Sequence, residues 1–220
     1  MDLRAILLDF DGLICDTERA ARHSWTALFA SHGLDFPDGL WRRMAGRHDG
    51  EELALARLAD ELGTPVPPEE RERRRALKAE LCRAEGLRPG VTALLDEAER
   101  RGVAAHVVSS SSADWVEPHL LRLGVRARFA SLVTGDLVER RKPAPDLYLL
   151  ALRRAGLSPR EAYAFEDSPV GLGAARAAGL RCAVVPSAAA EGASLAGASA
   201  VLDSLDAFPF DQHTEGSHSR

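Results

Sequence analysis

The chain has 220 residues, above the ~100–200 of a typical domain, so one core domain with a modest insertion is expected. With 45% hydrophobic and 28% charged residues it reads as an ordinary globular protein, which excludes disordered, collagen-like and disulfide-scaffold chains. Its formal net charge of -5 argues against a nucleic-acid partner, because displacing counterions needs basic surface. No apolar run approaches the ~20 residues that span a bilayer, and the opening MDLRAILLDF lacks a signal-peptide pattern. No membrane partner, a cytoplasmic location and a monomer are therefore the expectations. Cys15, Cys82 and Cys182 are odd in number and far apart, with no CxxC pair, so neither disulfides nor a zinc site is expected.

In chain order, residues 4–8 (RAILL) form a short apolar run that stops at Asp9-Phe10-Asp11-Gly12, which predicts a buried strand ending in a polar turn. From Thr17 to about Glu85 the apolar spacing is helical, with Gly33 and Gly63 as stops. Within that stretch RERRRALKAE (71–80) reads as a solvated helix face. Gly86-Leu-Arg-Pro-Gly90 breaks the chain. Beyond it a helix is expected at 91–101, a strand at 103–108 and a helix at about 115–123, where Pro118 is tolerable near the first turn. A strand at 132–133, a helix at 145–155, a strand at 162–165 and a helix at 170–178 follow, then strands near 182–185 and 200–202. This alternation predicts an α/β fold: a doubly wound parallel sheet with an inserted helical domain.

Ligands of such sheets bind beyond the strands' carboxyl ends, and three of those ends carry Asp9/Asp11, Ser109 and Glu166/Asp167. Two aspartates at i and i+2 can converge on one ligand, and their mutual repulsion asks for a cation, a shared proton or solvent. Carboxylates without thiolates suit a hard ion such as Mg2+. Serine hydroxyls and Lys142, one of two lysines in the chain, could hold phosphoryl oxygens. Metal, lysine and hydroxyl together describe a phosphoryl site.

The segments DFDGLICDTE (9–18), VVSSSS (107–112), RKPAPDLY (141–148) and FEDSPVGLGAARAAGL (165–180) resemble, in order and spacing, the four motifs of the haloacid dehalogenase-like superfamily. The resemblance is closest to its branch of sugar-phosphate phosphatases and β-phosphoglucomutases. It implies a Rossmann-like core over 1–16 and 86–210 and a helical cap over 17–85, while the polar end of the chain reads as a flexible tail over 211–220. It also implies a Mg2+-dependent phosphatase acting on a small phosphomonoester, a sugar phosphate, through an aspartyl phosphate. Asp9 would be the nucleophile and Asp11 the acid and base, while Ser109 and Lys142 would hold the phosphoryl group. Mg2+ would be bound by Asp9, the Asp11 backbone carbonyl and Asp167, with Glu166 as a ligand or supporting partner. Gly12, Thr17, Ser110 and Ser111 join the substrate site, and Arg47 and His48 of the segment 42–48 are the cap's specificity candidates.

Two other readings stand beside this one. A β-phosphoglucomutase resembles the chain as closely in its core, but Ala21 occupies the position of that enzyme's cap histidine and Asp49 the position of its arginine. A catalytically silent binding protein is the reading of another class, and every motif acid being present speaks against it. Gly171 and Gly173 are expected to serve close helix packing, and Trp25, Trp41 and Trp115 to serve packing instead of ligand stacking.

Overall fold

The computed structural model describes residues 3–44, 47 and 49–213. Among these residues six parallel strands form one sheet: β1 (Ala5–Leu8), β2 (Ala104–Val108), β3 (Ser131–Val133), β4 (Ala162–Glu166), β5 (Arg181–Val184) and β6 (Ala200–Val201). Their order is β3-β2-β1-β4-β5-β6, with Leu8 level with Val107 on one side and Phe165 on the other. β1 and β4 are buried along their whole lengths, which is why they read as apolar runs and not as alternation. Alternation survives in where the side chains go. Ile6 and Leu8 enter one core layer, Ala5 and Leu7 the other.

The first layer is completed by α5 (Val91–Arg100) and α6 (Ala113–Arg122), together with Phe208 and Phe210. The second is covered by α7 (Asp146–Ala155) and α8 (Pro169–Ala177). The strand order runs outward in both directions from the β1/β4 pair, so that pair is the switch point where the sheet leaves a crevice. Between β1 and α5 the described residues form four helices: α1 (Thr17–Ala30), α2 (Asp38–Met44), α3 (Gly50–Leu62) and α4 (Pro68–Ala84). They share a hydrophobic cluster that includes Trp25, Phe29, Trp41 and Leu58 and that Ala189, from beyond β5, also joins. Among the described residues no helix is long and apolar enough to cross a membrane, and Cys15, Cys82 and Cys182 are buried and unpaired.

Two expectations need correcting. Helix α6 begins at Ala113, so Pro118 falls in its second turn and not near its first. The proline and Asp114, whose carbonyl loses its partner, are both exposed, so water can take the missing bond. The segment 71–80 is not a uniformly solvated face, because Arg74 is buried at 6% exposure. Near the chain end, Phe210–Gln212 form a 3-10 turn. Asp211 pairs with Arg101 and the His213 ring stacks on Phe208. Residues 214–220 of the expected tail lie outside the described residues.

Candidate active site

Asp9 follows β1 directly, and its N–H donates to the Phe165 carbonyl at 3.0 Å, so sheet pairing fixes the backbone of the first acidic residue. The chain then turns at Gly12, which has φ +80. A Cβ there would be strained and would also overlap the Asp167 carboxylate, so glycine is demanded twice. At the end of β4 lie Glu166 and Asp167, both buried. Ser168 caps α8 by accepting from the Gly171 N–H at 3.3 Å. A Cβ on Gly171 would fall within the Glu166 carboxylate, so this glycine makes room for a site residue as well as for packing.

Lys142, whose bond to Pro143 is cis, gathers the cluster. Its ammonium donates to Asp9 Oδ1 at 2.6 Å and to the Val108 carbonyl at 2.7 Å, and it pairs with Glu166 Oε1 at 2.7 Å. Three protons thus meet three acceptors. Glu166 Oε1 also accepts from the Tyr148 hydroxyl. Carboxylate oxygens of Asp9, Glu166 and Asp167 all lie within 4.8 Å of one another.

Three buried carboxylates facing one ammonium leave negative charge uncompensated. Burial, against the pull of Lys142, pushes Asp9 up to about 7. Burial and the charge of Asp9 push Asp167 up to about 7. Burial disfavours the charged form of Lys142, yet Asp9 and Glu166 outweigh it and hold the ammonium above its ordinary range. Such a set, oxygen donors with excess negative charge, fits a hard divalent cation.

The serine run ends β2. Ser109 is buried and its Oγ accepts from the Ser111 N–H at 3.0 Å, while the Ser110 Oγ is buried without a hydrogen-bond partner. Ser110 is therefore the hydroxyl left for a ligand. Asp11 does not join the carboxylate cluster through its side chain. Its Oδ1 accepts from Thr17 Oγ1 at 2.7 Å and Trp115 Nε1 at 3.0 Å, and its Oδ2 accepts from Ser111 Oγ at 2.6 Å.

A cavity of about 250 Å³ opens above the strand ends, walled by Asp9, Asp11, Ser109, Ser110, Ser111, Lys142, Glu166 and Asp167 from the sheet side. Arg47 reaches its wall, with the guanidinium held by Asp49 at 2.6 and 2.8 Å. Gly12 and Thr17 lie behind the wall, against Asp167 and Asp11 respectively. His48 lies outside the described residues.

Sequence reasoning missed several wall residues on the helices. Arg74 lies over the Trp25 ring at 4.2 Å and pairs with Glu51 at 2.6 Å, and its Nε is buried without a partner. Lys78 stands 4.6 Å from the Trp115 ring centroid. Glu18, on α1, is pushed up to about 8 by burial and the Asp167 charge, against the pull of Lys78. Trp25 and Trp41 line the cavity too. A signal existed for α4: Arg74, Lys78 and Cys82 recur four apart, and Cys82 is of a type that is usually buried.

The model of the haloacid dehalogenase-like hydrolases matches residues 3–179. The chain belongs to that family. Among relatives, YhcW of Bacillus subtilis is 38% identical over 185 residues, 84% of each chain. The fructose-1-phosphate phosphatase YqaB of Escherichia coli is 32% identical over 80% of this chain and 92% of its own. The crystal structure of CbbY from Rhodobacter sphaeroides in complex with phosphate superposes with a TM-score of 0.74 at 32% identity, covering 93% of this chain and 96% of that one. The haloacid dehalogenase-like motifs read in the sequence are the segments that converge here on one cavity.

Proposed function

We propose that this hydrolase is a Mg2+-dependent phosphatase that cleaves a small sugar phosphate through an aspartyl phosphate. The observation that carries the reading is the Asp9–Lys142 pair at the floor of the cavity, flanked by Glu166 and Asp167. Lys142 holds Asp9 Oδ1, leaving Oδ2 to attack phosphorus. Ser109, the unpartnered Ser110 hydroxyl and Lys142 orient the phosphoryl oxygens. The bond from phosphorus to the sugar oxygen breaks as Asp11 gives that oxygen a proton. Asp11 then takes a proton from water, whose oxygen attacks phosphorus and frees the Asp9 carboxylate.

The donor set fits Mg2+, which would be held by Asp9, Asp167 and the Asp11 carbonyl, with Glu166 supporting through Lys142. Bound there, the ion supplies positive charge for the phosphoryl oxygens. The machinery has to be composite: uncatalysed phosphate-monoester hydrolysis calls for accelerations up to ~10²¹, about 28 kcal/mol, of which acid–base catalysis supplies ~10²–10⁴.

Residues 17–85 act as a cap over a core of 1–16 and 86–210, excluding water and selecting the sugar. The reading is completed by a monomer in the cytoplasm. The phosphatase name of YqaB and the phosphate in the CbbY crystal structure support this chemistry. Ala21 favours hydrolysis over a mutase: it lines the cavity where a mutase presents histidine, and Asp49 occupies Arg47 nearby. The test is phosphate release, with and without Mg2+, across hexose, pentose and glycolate phosphates. Mg2+-dependent release from a few sugar phosphates is expected. Consumption of β-glucose 1-phosphate without phosphate release would establish the mutase instead.

A further inference from the structure

Asp11 accepts from four side chains, Thr17, Ser109, Ser111 and Trp115, and one of them differs in kind. The hydroxyls of Thr17, Ser109 and Ser111 rotate about their C–O bonds, so each can follow the carboxylate as it turns. An indole N–H can only donate. The Trp115 Nε1–H points where its packed ring points, so its bond to Asp11 Oδ1 at 3.0 Å fixes that oxygen and with it the direction of Oδ2, beside Ser111. Trp115 is absent from the cavity wall, so it reaches the chemistry through Asp11 and not through substrate.

The indole is itself held. On α6 the His119 ring centroid lies 4.6 Å from it. From α4, on the helical side of the cavity, Lys78 Nζ stands 4.6 Å from its centroid, a cation–π distance. A residue of the helical unit thus presses on the side chain that orients an acid of the sheet. We propose that Trp115 is a positioning residue for Asp11, and that Lys78 ties this orientation to the position of α4. The inference rests on the phosphatase reading above.

Trp115→Phe keeps the ring and removes the donor. It should lower kcat for a sugar phosphate about tenfold or more, as expected for a bond to a charged group, with KM changed by less than about twofold. In an Asp11→Ala background the same change should alter the residual turnover by less than about twofold, because residues acting as a unit are not additive. Equal fold losses in both backgrounds, or a loss in KM alone, would overturn the proposal. An activity-free reading guards against misfolding of Trp115→Phe. Of the three indole N–H resonances in 15N-labelled protein, the one retained in both Trp25→Phe and Trp41→Phe should move in Asp11→Ala and in Lys78→Met. A signal unmoved by the first removes the positioning role, and one unmoved by the second removes the link to α4. Wild-type protein that releases no phosphate would remove the phosphatase reading and this role with it, whereas active wild type with additive losses removes this role alone.

Discussion

The two sides of the cavity are built on different rules. On the sheet side, Asp9, Ser109 and Glu166/Asp167 sit where strands stop, their backbones fixed by parallel pairing and their charges tied to a single ammonium. On the helical side, Arg74, Lys78, Glu18 and Trp25 come from the faces of two helices whose packing decides what enters the cavity. The sheet side carries the chemistry that any phosphomonoester needs. The helical side has the variety of charge and ring that distinguishes one sugar from another.

Breaking the sheet side should give the largest effects. Asp9→Asn removes the nucleophile and should lower kcat by ~10⁴-fold or more for every substrate, read as Mg2+-dependent phosphate release. A loss confined to one substrate would contradict the division. Lys142→Met leaves Asp9 and Glu166 buried without their cation and should cost about 3–5 kcal/mol in denaturant unfolding. Gly171→Ala drives a methyl into the Glu166 carboxylate and should cost about 1–3 kcal/mol, with turnover falling as well. Substitution on the helical side should act differently: Lys78→Met should lower kcat for every sugar phosphate through Trp115 and Asp11 and, because Lys78 also lines the cavity, shift the ratio of kcat/KM between two of them by roughly tenfold. An unchanged ratio would place Lys78 with the chemistry alone.

A smaller effect concerns pH. Asp9 and Asp167, each raised from 3.8 to about 7, chiefly by burial, keep protons in the folded protein that the unfolded chain has already released. Metal-free protein should therefore lose stability as pH rises from about 4 to about 7. Mg2+ binds the deprotonated cluster, so its gain in melting temperature should be larger above pH 7 than near pH 5. A gain independent of pH would contradict the placement of the metal at these carboxylates.

The same division decides what the sequence revealed. Strand-end residues were legible because a short apolar run followed by a carboxylate or a serine names both an element and the residue at its tip. Even there the partners were not legible: that Ser110, and not Ser109, has the unpartnered hydroxyl, or that Gly171 clears space for Glu166, follows from side-chain directions in three dimensions. On the helical side Arg74 and Lys78 were hidden in a charged run, because which face of α4 turns inward depends on its packing along α1. Trp115 read as packing, and it does pack. Its N–H became visible as a partner of Asp11 only once α6 was in place against β1. Pro118 shows the same limit, since a helix register two residues earlier moved it into a second turn that tolerates it through exposure.

The central claim is that Asp9 carries the phosphoryl group during turnover. Rapid acid quench of the wild-type protein turning over its best sugar phosphate with Mg2+, followed by mass spectrometry of the peptide bearing Asp9, tests it directly. The account predicts one phosphoryl group on Asp9 within the first turnover and none in Asp9→Asn. Steady phosphate release with Asp9 unmodified, and turnover retained in Asp9→Asn, would contradict it.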